Sequence, residues 1–167
     1  MALAKSTKDR DELPGFIHVL NRQRRFKVSR SSVALFCANV LRSFPVHNGM
    51  LSIALVNPGQ MRAINRRYLD HDYATDVLSF SYKKTRMEGR RFLGEIVIAP
   101  EVAAVHAARY GTAVEKEVRK LLVHGILHLL GYDHETDRGE MIRLQNTLLR
   151  RKTLSDSLPL IALKETP

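Results

Sequence analysis

The stretch HGILHLLGYDH, residues 124–134, places three histidines within eleven residues and predicts both a local structure and a site. If the apolar residues before it are helical, His124 and His128 lie one turn apart and project from the same face. Gly131 can take the left-handed conformation that ends a helix, so that the chain turns back and delivers His134. The sequence therefore predicts a three-histidine site on a helix and the turn after it.

Three imidazoles with this spacing are typical of a metal site. Neutral imidazoles bind zinc at roughly 2.0–2.1 Å, and three of them leave one tetrahedral position open, as in catalytic zinc sites. A single histidine on an apolar face is more often a core residue satisfied by a hydrogen bond, but the complete HxxxHxxGxxH spacing favours metal ligands. We expect one Zn²⁺ per chain, held by His124, His128 and His134. The other four histidines are scattered and are not expected to be ligands: His18, His47, His71 and His106.

The residue after the first histidine argues against a peptidase. In HExxH metallopeptidases this residue is a glutamate that acts as general base, whereas here it is Gly125, which cannot accept a proton. A peptidase would need a carboxylate from elsewhere, and Glu135 and Glu140 are the nearest candidates. Zinc can lower the pKa of water and polarise a phosphoryl oxygen without such a base, so phosphodiester hydrolysis fits the motif better.

The chain is strongly basic, with 27 lysines and arginines against 17 acidic residues and a net charge of +10. Much of the excess lies in two blocks, at residues 22–30 and 83–91. Such blocks attract polyanions, although they also occur on solvated faces without a partner. The sequence has no RNP aromatic pattern, GXXG loop or zinc-finger spacing, so a standard RNA-binding module is not expected. The second block supplies the predicted substrate-binding residues, which are Lys83, Lys84, Arg86, Arg90 and Arg91.

Length and periodicity predict one α+β domain with a small mixed β-sheet packed with helices. The chain has 167 residues, 44% of them hydrophobic, which suffices for one core. A basic connector is expected between the strand that ends at residue 20 and the helix that begins at residue 29, and residues 83–91 are expected to be a mobile loop. Strands are predicted at residues 16–20, 50–56, 77–82 and 92–99, and helices at residues 29–44, 58–68, 100–110, 112–130 and from 135 or 136 to 151.

The chain ends are expected to lie outside this domain. Residues 1–15 are predicted to be flexible, and residues 153–167 to be a C-terminal tail that frays. The first dozen residues lack the apolar core of a signal peptide, and no apolar run approaches the ~18 residues of a membrane span. Cys37 is the only cysteine and lies among apolar residues, which suits a buried side chain in a reducing compartment. We therefore expect a cytoplasmic protein with no membrane partner.

Three segments together resemble the YbeY-type bacterial endoribonucleases. They are HGILHLLGYDH at residues 124–134, TDVLSF at Thr75–Phe80 and LGEIVIA at Leu93–Ala99, in the family's order. The resemblance covers roughly residues 16–150 and implies that residues 16–152 form a metal-dependent endoribonuclease domain, with zinc on the three histidines and single-stranded RNA as the substrate. It also implies a role in maturing the 3′ end of small-subunit (16S) rRNA and in ribosome quality control, with the ribosome or its assembly factors as partners.

The chain departs from this family at one position that is thought to serve catalysis. Members carry an arginine directly after the aromatic residue that precedes TDVLSF, whereas here Tyr68 is followed by Leu69. Arg67 and Arg66 are the nearest candidates for the catalytic role, although on a helix each projects about 100° away from its neighbour. A guanidinium would matter because phosphoryl transfer concentrates negative charge on the non-bridging oxygens.

Alternatives remain open for the function and for three neighbours of the site. The protein could be an RNA-binding ribosome assembly factor with a mainly structural zinc, or a metal-dependent hydrolase of another substrate. Asp133 is expected either to orient a ligand imidazole or to cap the next helix. Asp76 and Ser79 are expected either near the metal pocket or as ordinary loop-to-strand residues.

Overall fold

A computed structural model describes residues 16–46, 48–82, 85–87, 89–156 and 158–164. Its elements confirm an α+β domain with a mixed sheet. In chain order they are β1 Ile17–Asn21, β2 Phe26–Val28, α1 Arg30–Leu41, β3 Met50–Leu55, α2 Pro58–Leu69, β4 Val77–Ser81, β5 Arg86–Met87, β6 Arg90–Ile98, α3 Pro100–Arg109, α4 Val114–Leu129, α5 Glu140–Leu149, α6 Lys152–Ser155 and β7 Ile161–Leu163. The predicted flexible residues 1–15 lie outside the described part of the chain.

The central sheet has the strand order β1-β3-β6-β4, and the short β5 pairs with the start of β6. β1 and β6 run parallel to β3, whereas β4 runs antiparallel to β6. Parallel neighbours need a crossover connection, which α1 supplies between β1 and β3. β4 is the last strand in this order and forms an edge of the sheet, where its two faces meet.

Helices cover both faces of this sheet. On one face α1 and α4 pack against residues such as Ile53 and Ile96 in the larger core cluster. On the other face Met61 of α2 packs with Leu78 and Val97 in a smaller cluster. Because side chains alternate along a strand, neighbouring residues of β4 and β6 serve opposite faces. The helix with the first two histidines and the helix with the catalytic-candidate arginines thus lie on opposite sides of the sheet.

β6 contains a bulge next to the glycine at which α4 approaches the sheet closely. Met50 pairs with Phe92 and Leu51 with Gly94, so Leu93 is the extra residue. Gly94 has a φ of +148°, and a Cβ there would collide with the carbonyl oxygen of Phe80 and the side chain of Leu129. This close packing explains why a glycine is needed in the LGEIVIA segment.

The C-terminal segment differs from the prediction. α6 and β7 lie in the region expected to fray, and β7 pairs antiparallel with β2 inside the predicted connector. Leu154, Leu160 and Ile161 are buried, so the fraying prediction is wrong for the described residues of this segment. Apolar burial and backbone pairing hold the segment on the domain, and neither is visible as a periodic pattern in elements of three or four residues.

Two internal segments also differ. The predicted loop at residues 83–91 contains a short hairpin in its described part, in which β5 pairs with Arg90 and Arg91. α5 begins at Glu140, several residues later than predicted, because Asp137 accepts hydrogen bonds from the backbone N–H groups of Gly139 and Met141 and so starts the helix there.

Cys37 is fully buried, as predicted, and burial raises the pKa of its thiol. None of the helices in the described ranges is both long and apolar enough to cross a membrane.

Candidate metal centre

α4 positions the first two histidines because its other face is anchored in the core. Leu122, Ile126 and Leu127 are almost completely buried, which fixes the rotation of the helix about its axis. After the helix, Gly131 takes the predicted positive φ, +96°, and the backbone N–H of Tyr132 donates to the Leu127 carbonyl at 3.0 Å. This turn reverses the chain and carries the third histidine back over the end of α4.

The structure brings together the three histidines named from the sequence. The Nε2 atoms of His124 and His128 are 3.1 Å apart. The ring of His134 lies 5.1 Å from that of His124 and 5.2 Å from that of His128, measured between centroids. One nitrogen from each ring lies within 4.8 Å of the other two, so the group could hold a metal ion. The first two rings are partly buried, and His134 is exposed.

His124 and His128 each form a hydrogen bond on the side of the ring that faces away from the site. These bonds determine which ring nitrogen is left for a metal ion. Nδ1 of His124 donates to Oε1 of Gln145, a buried side chain on α5, at 3.0 Å. His128 forms a hydrogen bond with the backbone of Tyr132, which raises its pKa. Because Nδ1 of His124 is bound to Gln145, its Nε2 is left for the site and lies at hydrogen-bond distance from Nε2 of His128. Nitrogens bound to one tetrahedral ion at 2.0–2.1 Å lie about 3.4 Å apart, so the donor set fits a cation.

Burial lowers the pKa of both partly buried histidines. Desolvation is the largest cause for His124, and the charges of the other two histidines lower its pKa further. Desolvation is also the largest cause for His128, followed by the charge of His134. Because an imidazole with a lowered pKa is neutral at pH 7, both rings are in the form that binds a metal.

Gly125 faces the sheet and leaves no room for the general base of a metallopeptidase. A Cβ at this position would lie 2.9 Å from Cδ1 of Ile96 and 3.0 Å from Oγ of Ser79. A glutamate here would have to displace the side chains of Ile96 and Ser79. Of the alternative carboxylates, Glu140 accepts from the Arg138 backbone N–H at 2.7 Å, while Glu135 is exposed and its charge raises the pKa of His128.

Asp133 orders the turn that carries the third histidine. Its carboxylate accepts from the backbone N–H of Glu135 at 3.0 Å and from Oγ1 of Thr136 at 3.2 Å. The alternative that Asp133 caps the next helix is wrong, since α5 begins at Glu140. The charge of Asp133 raises the pKa of His128, which places the carboxylate within electrostatic reach of the site.

Asp76, directly before β4, and Ser79, on β4, both lie near the site. The charge of Asp76 raises the pKa of His124, and Ser79 faces Gly125. Asp76 also pairs with His106, whose Nδ1 lies 2.9 Å from Oδ2 of the carboxylate. His106 is not part of the three-histidine group.

Arg66 and Arg67 make contacts on the opposite side of the sheet. Arg66 lies 3.9 Å from the carboxylate of Asp72, and the Arg67 guanidinium lies over the Tyr68 ring at 5.6 Å from its centroid. Leu69, at the position where the family resemblance predicts an arginine, is 48% exposed at the end of α2. Among the contacts of the described residues, none joins either arginine to a histidine of the site, and their catalytic role stays a prediction.

The basic hairpin lies at the same end of the sheet as the histidines. Gly125 sits over Ser79, whereas Leu129 sits over Gly94, which pairs with Ser81 near the start of the hairpin. α4 therefore runs towards the hairpin, and the end that carries the histidines lies closest to it. Arg90 donates to the carbonyl of Asn48 at 3.3 Å, and Arg86 to that of Gly89 at 3.2 Å. Arg91 is exposed, while Lys83, Lys84 and His47 lie outside the described residues.

Sequence reasoning missed Gln145 and the pairing of Asp76 with His106. Gln145 occupies a position between Met141 and Leu148 in the buried stripe of α5. A polar residue in an apolar stripe is a signal that could have identified it, since buried polar groups need a partner. The Asp76–His106 pair joins residues thirty positions apart, so no local sequence pattern indicates it.

The comparisons with known proteins point to one family. Residues 18–153 match the family model described as endoribonuclease YbeY. The endoribonuclease YbeY of Thermodesulfovibrio yellowstonii is 32% identical over 157 residues, which cover 86% of this chain and 98% of the relative. That of Helicobacter pylori is 40% identical over 121 residues, covering 72% and 81%.

A solved structure shows the same fold. The solution structure of TM1509 from Thermotoga maritima superposes with a TM-score of 0.60 at 23% identity, over 84% of this chain and 90% of that one. The family resemblance predicted from the three motifs is confirmed by the family model and by the relatives. The chain belongs to the endoribonuclease YbeY family.

Proposed function

We propose that this protein is a zinc-dependent endoribonuclease that cleaves single-stranded RNA in the maturation of the 3′ end of small-subunit (16S) rRNA. The observation that carries the proposal is the convergence of the three histidines, two of them with Nε2 atoms 3.1 Å apart. Family membership supports an RNA phosphodiester as the bond that is broken. We assign one Zn²⁺ to His124, His128 and His134, because an imidazole-only donor set suits zinc.

The residues of this chain have defined tasks in such a reaction. Bound zinc would supply a Lewis acid that polarises the scissile phosphate and lowers the pKa of water. Gln145 and the Tyr132 backbone orient the two ligand rings, and Asp133 orders the turn that delivers the third. Burial lowers the pKa of His124 and His128, so protons compete weakly for these two ligand nitrogens at pH 7.

We assign substrate binding to Arg86, Arg90 and Arg91 of the basic hairpin, and to Lys83 and Lys84, which precede it in the sequence. Its described arginines lie at the end of the sheet where α4 presents the histidines. Guanidinium groups bind phosphate oxygens in bidentate fashion and stabilise the charge of a phosphoryl transition state. Since Leu69 supplies no guanidinium, this hairpin is our first candidate for that role, and Arg67 and Arg66 are the alternative.

The finer biological assignments follow from the family resemblance. We place the activity in the cytoplasm and propose small-subunit rRNA and the ribosome or its assembly factors as partners. The net charge of +10 supports a polyanionic partner.

The proposal is tested by cleavage of a single-stranded RNA that matches the 3′ region of small-subunit rRNA. Zinc-analysed protein is compared with His128→Ala and with His18→Ala, a matched control because His18 is exposed on β1 and outside the histidine group. We expect the parent and the control to cleave, a chelator to stop both, and His128→Ala to lose zinc and cleavage together. Full cleavage by a zinc-free His128→Ala would overturn the proposal.

One observation favours a second candidate, an RNA-binding assembly factor with a structural zinc. The family's arginine position holds an exposed leucine, so the transition state has no guanidinium from that side. Tight RNA binding by the zinc-loaded parent without turnover would support this candidate. The packing around Gly125 makes a peptidase the weaker alternative.

A further inference from the structure

A surface on the α2 side of the sheet combines exposed tyrosines with arginines. We call it the tyrosine–arginine surface and define it by Arg62, Arg66, Arg67, Tyr68 and Tyr82. Tyr68 is 60% exposed and Tyr82 is 42% exposed, although both are large aromatic side chains. It lies on the opposite side of the sheet from α4 and its histidines. Of its residues, only Arg67 and Arg66 are alternative candidates for the catalytic guanidinium.

Each tyrosine is held in place by a partly buried aromatic neighbour. The Tyr68 ring meets Phe80 edge-on at 5.4 Å, and the Tyr82 ring lies 5.3 Å from Phe92, both measured between centroids. The Tyr82 hydroxyl also lies 3.5 Å from Oε2 of Glu95, which pairs across the sheet with Phe80. These contacts hold two exposed rings next to each other at the edge of the sheet, so ordering them on binding costs little entropy.

The arginines line an open cavity on the outer face of α2, the helix that also carries Tyr68. The cavity has a volume of about 490 Å³, and its lining contains three arginines and a single carboxylate, that of Asp72. Asp72 forms two hydrogen bonds with Arg62, at 2.9 and 2.8 Å, and a longer contact with Arg66. The lining therefore keeps a net positive charge. The guanidinium of Arg67 lies over the Tyr68 ring and joins the cavity to the tyrosines.

We propose that the tyrosine–arginine surface is a second binding site for single-stranded RNA, in which the tyrosines stack on bases and the arginines bind phosphates. The inference rests on the proposed function, which supplies RNA as the substrate. Sites for single strands combine aromatic platforms with a basic groove, because every base has a face that can stack. A duplex hides those faces, and an acidic protein would use the arginines without the rings, so the combination favours a single strand.

The position of β4 connects this surface with the metal centre. Ser79 points to the α4 side, where it faces Gly125, and its neighbour Phe80 contacts Tyr68 on the other side. Because β4 is an edge strand, a single strand that crosses this edge passes from one site to the other. The surface would hold RNA that extends beyond the cleaved bond. Arg67 then acts in binding the substrate and not in the chemical step.

Binding is measured with full-length, zinc-loaded protein and a fluorescent single-stranded oligoribonucleotide of the rRNA 3′ region, by anisotropy in the cold. A gel after each titration shows that the probe is intact. We expect Tyr68→Ala and Tyr82→Ala each to weaken binding roughly tenfold, the effect of losing one stacked base. Tyr68→Phe keeps the ring and should bind as the parent does. Tyr110→Ala is the matched control, since Tyr110 is 74% exposed after α3 and away from this surface.

The arginine contribution is measured by salt dependence and by kinetics. Arg67→Gln should reduce the slope of log affinity against log salt by about 0.7 for one lost phosphate contact on a single strand. Arg150→Gln, an exposed arginine after α5, should leave the slope unchanged. In cleavage assays, Arg67→Gln should raise KM with kcat unchanged. A fall in kcat with KM unchanged would instead make Arg67 a catalytic residue and overturn its assignment to binding.

The two proposals fail in different ways. If both tyrosine-to-alanine variants keep their fold by circular dichroism and bind the single strand like the parent, the second site is wrong whether or not the protein cleaves RNA. Equal weakening for a duplex of the same sequence would also overturn it, since stacking needs open base faces. If the tyrosine variants bind weakly while the parent binds tightly and cleaves nothing, the second site stands and the nuclease proposal fails.

Discussion

The two halves of α4 use polar side chains for opposite purposes. In the first half, Glu115 accepts hydrogen bonds from the backbone N–H groups of Leu160 and Ile161, at 3.1 and 2.9 Å. It also accepts from Nε of Arg119 at 2.7 Å, and Arg119 donates to the carbonyl of Leu154 at 2.7 Å. These bonds hold the segment that leads into β7 on the domain.

In the second half, His124 and His128 have one protein partner each and direct the remaining nitrogen at the other ring. Polar groups that bond to other elements of the protein hold the fold, whereas ring nitrogens that converge only on one another are available for a ligand. This difference in hydrogen-bond partners separates the structural residues of α4 from the functional ones more clearly than burial does. Glu115 and Arg119 are partly buried, and so are the two histidines.

His124→Ala should give the largest effect on function and a small one on stability. We expect loss of bound zinc and a fall in RNA cleavage of at least a hundredfold, because two imidazoles cannot hold the ion in the same way. Unfolding of the metal-free protein by urea should lose only about 1 kcal/mol, the cost of leaving Oε1 of Gln145 without its donor. Zinc analysis, a cleavage gel and a urea titration on one preparation measure all three.

Glu115→Ala should give the reverse pattern. Arg119, with only 12% of its side chain exposed, would lose its carboxylate, and two backbone N–H groups would lose their acceptor. We expect the free energy of unfolding to fall by about 2–3 kcal/mol, while the zinc content of the folded protein stays at one per chain. A Glu115→Ala protein that keeps its stability but loses zinc would contradict the division of α4 into two halves.

How well the sequence predicts each half of α4 depends on the sequence separation between the residues that make contact there. The three histidines and Gly131 lie within one helix and one turn, so fixed helix geometry places them without knowledge of the rest of the fold. The contacts of Glu115 with residues 160 and 161 span 45 positions or more, and short strands such as β2 and β7 show no periodicity. The sequence also predicts that Arg66 and Arg67 diverge, but only the sheet shows which side they occupy.

Gln145→Ala should weaken the metal centre without removing it. Loss of its acceptor frees the His124 ring to change tautomer and orientation, which typically costs 10–100-fold in metal affinity. Cleavage at saturating zinc should stay close to that of the parent, and competition with a chromophoric chelator measures the affinity. Gln145→Glu keeps an acceptor and should bind zinc like the parent, while Asn146→Ala, exposed one residue later, is the control. Unchanged affinity in Gln145→Ala would mean that packing alone orients the ring.

Asp137→Asn should have the smallest effect, and its pH dependence shows what the charge contributes. The backbone N–H of Met141 is the main cause that holds the pKa of Asp137 below its ordinary value of 3.8. A carboxyl with a lowered pKa in the folded state adds stability above the unfolded value and loses it as pH falls through the folded one. The parent should therefore melt a few degrees above Asp137→Asn at pH 7, and the gap should close as the pH falls below about 3.8. A gap that stays constant down to pH 2 would assign the effect to hydrogen-bond geometry and not to charge.

Because Asp137 starts the helix that carries Gln145, the variant should also bind zinc slightly more weakly at pH 7, by less than Gln145→Ala does. This ranking follows from distance to the ligand: Gln145 contacts His124 directly, whereas Asp137 acts only through the first turn of α5.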